Sequence, residues 1–542
     1  MKEKYMFWRT SGWGLSLLLV LPVLAIFYTA MGESDEVFSH LMGTVMATYT
    51  GNTFWLVTGT LVLALLFGLP AAWIMAMCRI PGEKVLQWAL VLPLAMPGYI
   101  IGYIYTDWFD YAGPIQIFLR DLFGWQTIHD YWFPDIRSLG GACLVLALVL
   151  YPYIYLLARA AFMEQSVSLL QSARLLRCSP WDSFRRISLP LARPSIAVGM
   201  SLVAMETLGD FGTVSYFAVN TLTTAVYDTW LGYSNLNAAA KISAIMLMVI
   251  FLLISAERFS RRKQKLFQQE FEHGDDIRYT LTGLNKWLAL VWCWGLFCFA
   301  FALPLLQLGY YTWHYFAESW TPEFQQYSLN SLFVATVAAL LAVLLALTVN
   351  FYRRLDGGRS TLVPIRMSSL GYAVPGTVLA IGVMIPLTSA DHLLNDMAIS
   401  FGFGRPGLFF SGTMIAIIFA FVVRFAAVAI GSIESSLAKV PPSLDMASKT
   451  MGYASTQMLR RVHLPLIRRG CLIAGLLVFI ESMKELNAAL LLRPFNFETL
   501  ATYVFNFASD EQLELAALPA IILVFVGLIP LVMVNRSLEQ KH

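Results

Sequence analysis

The sequence predicts an all-α polytopic membrane protein of about twelve transmembrane helices in two parallel six-helix repeats, and three observations carry that prediction. Its 542 residues are 58% hydrophobic and 13% charged, with a mean hydropathy of +0.65, whereas a soluble domain carries about a quarter charged residues. Apolar stretches of roughly 20 residues, the length that crosses a bilayer core, recur along the whole chain. A basic segment, Arg185 to Arg193 (RRISLPLAR), returns in the second half as Arg460 to Arg468 (RRVHLPLIR) with six of its nine positions identical, a mark of internal duplication.

The first repeat supplies spans at 13–30, 52–76, 87–106, 139–158, 196–217 and 238–256, the second at 287–310, 328–351, 367–388, 411–431, 471–492 and 513–535. Long unbroken apolar runs lack the alternation of a barrel strand, and an open sheet leaves backbone groups unsatisfied in hydrocarbon, so the spans are helices. The first follows Lys2, Lys4 and Arg9. That pattern also fits a secretory signal, but polytopic proteins commonly begin with an uncleaved anchor. Pro97-Gly98 in the third span, Gly209 and Gly212 in the fifth and Pro375-Gly376 in the ninth read as helix breaks, tolerated where a cavity or neighbouring helix satisfies the freed groups. Tyr99, Tyr103 and Tyr372 beside these breaks read as interfacial anchors.

Orientation follows from Lys and Arg, which resist translocation. With the N-terminus inside, four of the 37 fall outside (Arg120, Arg137, Arg405, Arg493) and three lie in spans (Lys241, Arg424, Lys484). Both termini are therefore expected to be cytoplasmic. The outer loops are acidic, from Glu33 through Asp107, Asp110 and Asp391 to Asp510, Glu511 and Glu514. The six cysteines lie in spans or inner loops and read as free thiols. The seven histidines show no metal-ligand spacing, so no fixed metal is expected.

Register within the duplication extends beyond the basic segment. In the alignment that superposes Arg185 on Arg460, Glu206 falls on Glu481 and Asp210 on Glu485. Closer to the start of each half, a slightly longer offset places Asn52 on Asn330 and Pro97-Gly98 on Pro375-Gly376. Both copies start on the same side of the membrane, which places a pathway between them. The expected domains are an anchor helix and outer loop over 1–50, a first transmembrane domain over 51–256, and a linker, seventh helix and outer loop over 257–325. A second transmembrane domain over 326–535 and a cytoplasmic tail over 536–542 complete the chain. The linker runs from Arg258, Arg261, Arg262, Lys263 and Lys265 to Glu270, Glu272, Asp275 and Asp276, as a solvated connector does.

Ionisable residues inside a span cost about 2.5 to 3.5 kcal/mol each on insertion scales, so they face a pathway or a partner. Glu206 and Asp210, four apart, are expected on one helix face, and Glu481 and Glu485 at the matching place of the second repeat. The four are candidates for a translocation pathway or gate. In the competing structural reading Lys484 neutralises Glu481 or Glu485 as a packed ion pair.

The longest inner loop of each repeat has one design: a short helix, a turn, a basic pair and an apolar-Leu-Pro exit. In the first it comprises Gln171, Ser172, Ala173, Arg177, Ser179 and Trp181 ahead of Arg185-Arg186. In the second it comprises Asp445, Met446, Ala447, Ser448 and Gly452 ahead of Arg460-Arg461. This design resembles the EAA loop of ATP-binding-cassette importer permeases of type I fold. The resemblance implies that these eleven residues couple the chain to two copies of a cytoplasmic ATPase. Gln171 and Met446 stand where the pattern has an acid, and Arg177 where it has glycine. The alternative is an ordinary positive-inside loop whose arginines snorkel to headgroups.

Two further stretches, Met205 to Phe217 with Thr223-Thr224, and Glu481 to Leu486 running into Leu491 to Leu500, resemble the ferric-iron permeases, fused two-domain importers served by a binding protein. The similarity covers essentially the whole chain. It implies a periplasmic substrate-binding protein outside and ferric iron as substrate, with thiamine or another small solute as the alternative. With no GxxxxGK[ST] loop in the sequence, the chain is expected to bind no cofactor, ATP and magnesium residing on the partner ATPase. It is expected to be a transport subunit rather than an enzyme, bathed in membrane lipid, with no nucleic-acid partner. The remaining classes are an ion-coupled secondary transporter, which the duplicated loop argues against, and a membrane enzyme, for which no catalytic constellation is recognisable.

Overall fold

A computed structural model of the chain describes residues 6–32, 36–165, 171, 175, 176, 178–262 and 278–539. Among them, eleven helices are long and apolar enough to cross a membrane. A bent pair, Glu83–Ala95 and Gly98–Phe123, meets at 94° and makes a twelfth when taken as one broken span. These occupy the twelve places the sequence predicts. Two short strands, β1 (Cys78–Arg79) and β2 (Tyr279–Thr280), pair in parallel.

The first repeat uses α1 (Met6–Ala30), α2 (Met46–Met77), α3 (Glu83–Ala89), α4 (Gly98–Phe109), α5 (Leu139–Met163), α6 (Leu189–Gly209), α7 (Gly212–Tyr216) and α8 (Leu236–Arg262). The second uses α9 (Gly283–Phe297), α10 (Leu303–His314), α11 (Pro322–Asp356), α12 (Gly376–Ser400), α13 (Met414–Ala438), α14 (Pro442–Thr450), α15 (Leu464–Lys484), α16 (Asn487–Leu492) and α17 (Leu513–Glu539).

Four of the predicted spans are interrupted or displaced. The third is not one helix over 87–106, because the backbone at Pro97 is extended (ψ 139°) before α4 begins at Gly98. The ninth begins at Gly376 rather than 367, after an extended Pro375 (ψ 145°). Proline fixes φ and has no N–H to give, so a new helix starts after it at no hydrogen-bonding cost. The fifth and eleventh end at Gly209 and Lys484 and resume at Gly212 and Asn487.

The duplication is structural as well as textual. The Asn52 side-chain amide donates to the Asn220 carbonyl at 2.9 Å, and Asn330 donates to that of Glu498 at 3.2 Å. The Leu222 N–H donates to the Thr53 hydroxyl at 3.0 Å, and that of Leu500 to the Ser331 hydroxyl at 2.6 Å. All four positions of the first repeat meet their counterparts in the register that superposes Asn52 on Asn330. Both inner loops also lead into their next span through a π-helical turn, Phe184–Ser188 and Leu459–His463.

The chain forms two compact units whose segments interleave, one of residues 1–44, 225–247 and 317–506, the other of 45–224, 248–316 and 507–542. In the first unit α1 packs on α11 and α12 of the second repeat. Ser16 fastens it to the short helix Leu362–Ser368 between those two, donating to the Pro364 carbonyl at 3.1 Å and accepting from Ser368 at 2.9 Å. The other unit is built reciprocally: α5 packs on α2 and α6, while α10 of the second repeat packs on α17 and α4. α1 thus buries an apolar face on helices of the second repeat, while α10 packs on α17 of its own repeat and on α4 of the first, pairings that hydrophobic pattern alone does not specify.

Candidate functional site

The second inner loop is built on α14. Its C-terminus closes through Met451, Gly452 and Tyr453, whose N–H groups donate to the carbonyls of Ala447, Lys449 and Ser448 at 3.0 to 3.1 Å. Gly452 takes φ +79° there, the left-handed conformation in which glycine carries no Cβ penalty. The loop divides its predicted residues between two faces. Met446, Ala447 and Gly452 are exposed, with Leu444 and Met451 beside them. Ser448 is buried and donates to the Leu444 carbonyl at 2.7 Å.

Asp445 faces the protein instead of the solvent. Its Oδ2 accepts from Arg354 Nε at 2.6 Å, and its Oδ1 lies 3.0 Å from Nε2 of the fully buried His463. The same guanidinium donates to the carbonyls of Leu437 at 3.0 Å and Val440 at 2.7 Å, tying the end of α11 to both ends of the turn that precedes α14. Beside it, Arg353 pairs with Glu434. A cluster of Trp8, Phe351, Tyr352, Leu355 and Met458 packs beneath. Sequence reasoning missed both partners of Asp445: Arg354 lies on α11, outside the loop motif, His463 lies within its Leu-Pro exit, and no local spacing links either one to Asp445.

The first loop is fastened differently. Gln171 is exposed, as are Leu175 and Leu176, whereas Ser172, Ala173 and Arg177 lie outside the described residues. Ser179 caps a short turn, accepting from the Asp182 N–H at 3.1 Å and donating to its carboxylate at 2.6 Å. Trp181 is exposed, its ring 5.4 Å from Phe184, and Phe184 leans on Trp73 at 5.0 Å, which meets Phe162 at 5.4 Å. Aromatic contacts hold the first loop where an arginine clamp holds the second. At the places corresponding to Arg354, Asp445 and His463 the first repeat has Ala76, Leu170 and Ser188.

Two of the four intramembrane carboxylates, Asp210 and Glu485, sit at the helix breaks. Asp210 is the residue that closes α6, its φ of −68° still helical and its ψ of 130° extended, so the chain leaves the helix directly after it. Its Oδ1 accepts from the N–H groups of Thr213 at 3.0 Å and Val214 at 3.1 Å, and its Oδ2 from the Thr213 hydroxyl at 3.0 Å. Glu485 closes α15 in the same way and accepts from the Ala488 N–H at 3.1 Å. A free helix start leaves N–H groups without intrahelical partners, and an acidic side chain satisfies them best.

Glu485 is also paired with Arg424, Nε to Oε2 at 3.1 Å, the arginine and glutamate side chains being 14% and 8% exposed. Arg424 donates in addition to the Val374 carbonyl at 2.8 Å. Glu481 remains on α15, 40% exposed, 3.3 Å from Lys484. The ion pair foreseen for Lys484 therefore forms with Glu481. Glu206 remains on α6, partly buried. Tyr99 and Tyr103 are interior rather than interfacial, their rings 5.6 Å apart, and Tyr372 is exposed. The six cysteines are free. Among the described residues no group of three or more His, Cys, Asp or Glu is arranged to hold a metal ion.

Close packing at the second break exceeds that at the first. A Cβ on Gly376 would stand 2.5 Å from Glu485 Oε1, 2.8 Å from Asn487 Cβ and 3.0 Å from the Ala488 nitrogen. On Gly98 it would meet side-chain atoms at 3.0 Å and beyond. Gly376→Ala is expected to destabilise by about 1–3 kcal/mol, and Gly98→Ala by less. Thermal unfolding of the purified protein checks this; equal shifts for both would contradict it.

The family described as binding-protein-dependent transport system inner membrane component matches residues 64–265. The Fe(3+)-transport system permease protein FbpB 2 of Haemophilus influenzae is 26% identical over 543 residues, covering 98% of this chain and 98% of that protein. The molybdenum transport system permease protein ModB of Escherichia coli is 34% identical over 215 residues, 37% of this chain and 90% of that protein. The sulfate transport system permease protein CysW of Escherichia coli is 25% identical over 286 residues, 49% of this chain and 93% of that protein.

Proposed function

This chain belongs to the family of binding-protein-dependent transport system inner membrane components, and on that premise we propose that it forms the whole membrane pathway of an ATP-driven importer of ferric iron. The observation that carries the substrate is the end-to-end likeness to a permease named for Fe(3+) transport, fused halves included. It is a multi-pass membrane protein. Both termini face the cytoplasm, as the distribution of Lys and Arg supports.

Two copies of a cytoplasmic ATPase dock on the inner loops, one on each, and bring the ATP and magnesium that this chain does not bind. The exposed Leu444, Met446 and Met451 of one loop, and Leu175, Leu176 and Trp181 of the other, support that role, because apolar side chains in cytoplasmic loops call for a protein cover. A periplasmic binding protein delivers its load to the acidic outer loops. Closure of the ATPase dimer moves the coupling loops, and the pathway opens outward because nucleotide and binding protein favour that state.

The four carboxylates divide the work. Asp210 and Glu485 hold the broken helices in place, while Glu206 and Glu481, each on an unbroken segment, are the pathway carboxylates that a cationic load meets. A second reading, import of an oxyanion, draws on the relatives named for molybdenum and sulfate. Negative charge along the pathway disfavours it.

The ATPase assignment is tested by purifying the tagged full chain from its native membranes in mild detergent and measuring co-purifying ATP hydrolysis. Met446→Asp with Met451→Asp is expected to reduce that activity about tenfold or more, as loss of an apolar anchor does at a protein interface. Activity that copurifies equally with both forms, or with neither, would contradict docking at this loop.

A further inference from the structure

A basic pocket lies where β1 and β2 meet, at the start of the bent pair. β1 directly follows the end of α2 at Met77, α3 begins at Glu83, and β2 precedes α9, which begins at Gly283. Three apolar elements therefore end around it, and helices that cross a bilayer end near its headgroups. The cavity has a volume of about 670 Å³ and its lining includes Arg79, Lys84, Arg278, Lys286 and Glu83.

Its wall is fixed. Arg278 donates to both carboxylate oxygens of Glu83 and to the Cys78 carbonyl, the last at 2.8 Å, a fork of matched geometry. That pair neutralises itself, and the lining also carries the positive charges of Lys84 and Lys286. The second repeat has Gly357 and Leu362 where the first has Arg79 and Lys84. Those two cations are therefore peculiar to one repeat.

A second feature begins at its rim. Leu284, Trp287, Leu288 and Val291 of α9 are 58–73% exposed and, at spacings of three and four, form one apolar stripe along the helix. Tryptophan is enriched at headgroup level. Cations at the end of such a stripe match an amphiphile with a negative phosphate head and apolar tails.

We propose that this pocket binds the phosphate of an anionic membrane lipid, with the acyl chains lying along the Leu284–Val291 stripe. The bound lipid holds Arg278, the first described residue after the linker between the repeats, against the start of α3. The shared recognition chemistry is a phosphate anion, which free phosphate also offers, and the test separates the two sources.

The purified full chain in nanodiscs is probed with spin-labelled phosphatidylglycerol and phosphatidylcholine, with and without inorganic phosphate. Wild type is expected to prefer phosphatidylglycerol, and Lys84→Gln with Lys286→Gln to lower that preference by about fivefold per lysine, with Arg278 and Glu83 left in place. Lys84→Arg with Lys286→Arg should restore it, which separates charge recognition from a folding defect. Displacement by inorganic phosphate at millimolar concentration would overturn the lipid assignment in favour of a soluble anion. An unchanged preference in the glutamine variant, or none in wild type, would overturn the site altogether. None of these readouts depends on the transported substrate.

Discussion

Arg354→Ala is expected to abolish coupled transport while leaving the chain inserted in the membrane. The guanidinium makes three hydrogen bonds that bind α11 to Asp445, Leu437 and Val440. Its side chain and that of Asp445 are 17% and 15% exposed. Removing it strands a carboxylate and two carbonyls, at about 3–5 kcal/mol for breaking one side of a buried pair. The loss falls on the seat of α14, not on the membrane spans. Hydrogen exchange over 440–452 should accelerate by two or more orders of magnitude while that of α13 stays protected. Arg354→Met combined with Asp445→Leu should recover part of the protection, since an apolar pair leaves no uncompensated charge. Exchange at wild-type rates in Arg354→Ala would show that the clamp does not seat the loop.

Arg424→Leu is expected to be the more damaging change for the fold. Glu485, 8% exposed, would lose its countercharge and Val374 its donor, again at about 3–5 kcal/mol. The first repeat offers the internal control. Leu146 stands where the second repeat has Arg424, and Asp210 is satisfied instead by Thr213 and Val214. Asp210→Asn keeps an acceptor oxygen for those N–H groups and should cost about 1 kcal/mol. Thermal unfolding in one detergent compares the two. A larger shift for Asp210→Asn than for Arg424→Leu would reverse the assignment of which break depends on an ion pair.

The membrane helices were legible because hydrocarbon admits few solutions: about 20 apolar residues, helical, bounded by charge. The breaks at Pro97-Gly98 and Pro375-Gly376 were legible for a local reason, the chemistry of proline. The break at Glu485 was not. Lys484, Glu485, Leu486 and Asn487 include neither proline nor glycine, and the interruption is held by what Glu485 touches, Ala488 and Arg424. In the inner loop, the resemblance pointed to Asp445 as part of a docking surface, while the structure turns it inward to Arg354, a partner on a membrane helix far earlier in the chain. Period and composition report which face is apolar; they do not report which distant cation an aspartate meets. The packing of α1 against the second repeat escaped for a similar reason, since an apolar helix matches either repeat equally well.

Whether this chain carries ferric iron into the cell is tested most directly by uptake of radiolabelled ferric iron in iron-starved cells, with molybdate and sulfate as parallel labels. Wild type is compared with a deletion strain lacking other iron importers, and with that strain carrying the restored chain. Deletion is expected to remove iron uptake and the restored chain to return it, with molybdate and sulfate uptake unchanged throughout. Iron uptake that survives deletion, or a loss of molybdate or sulfate uptake in its place, would contradict the ferric assignment.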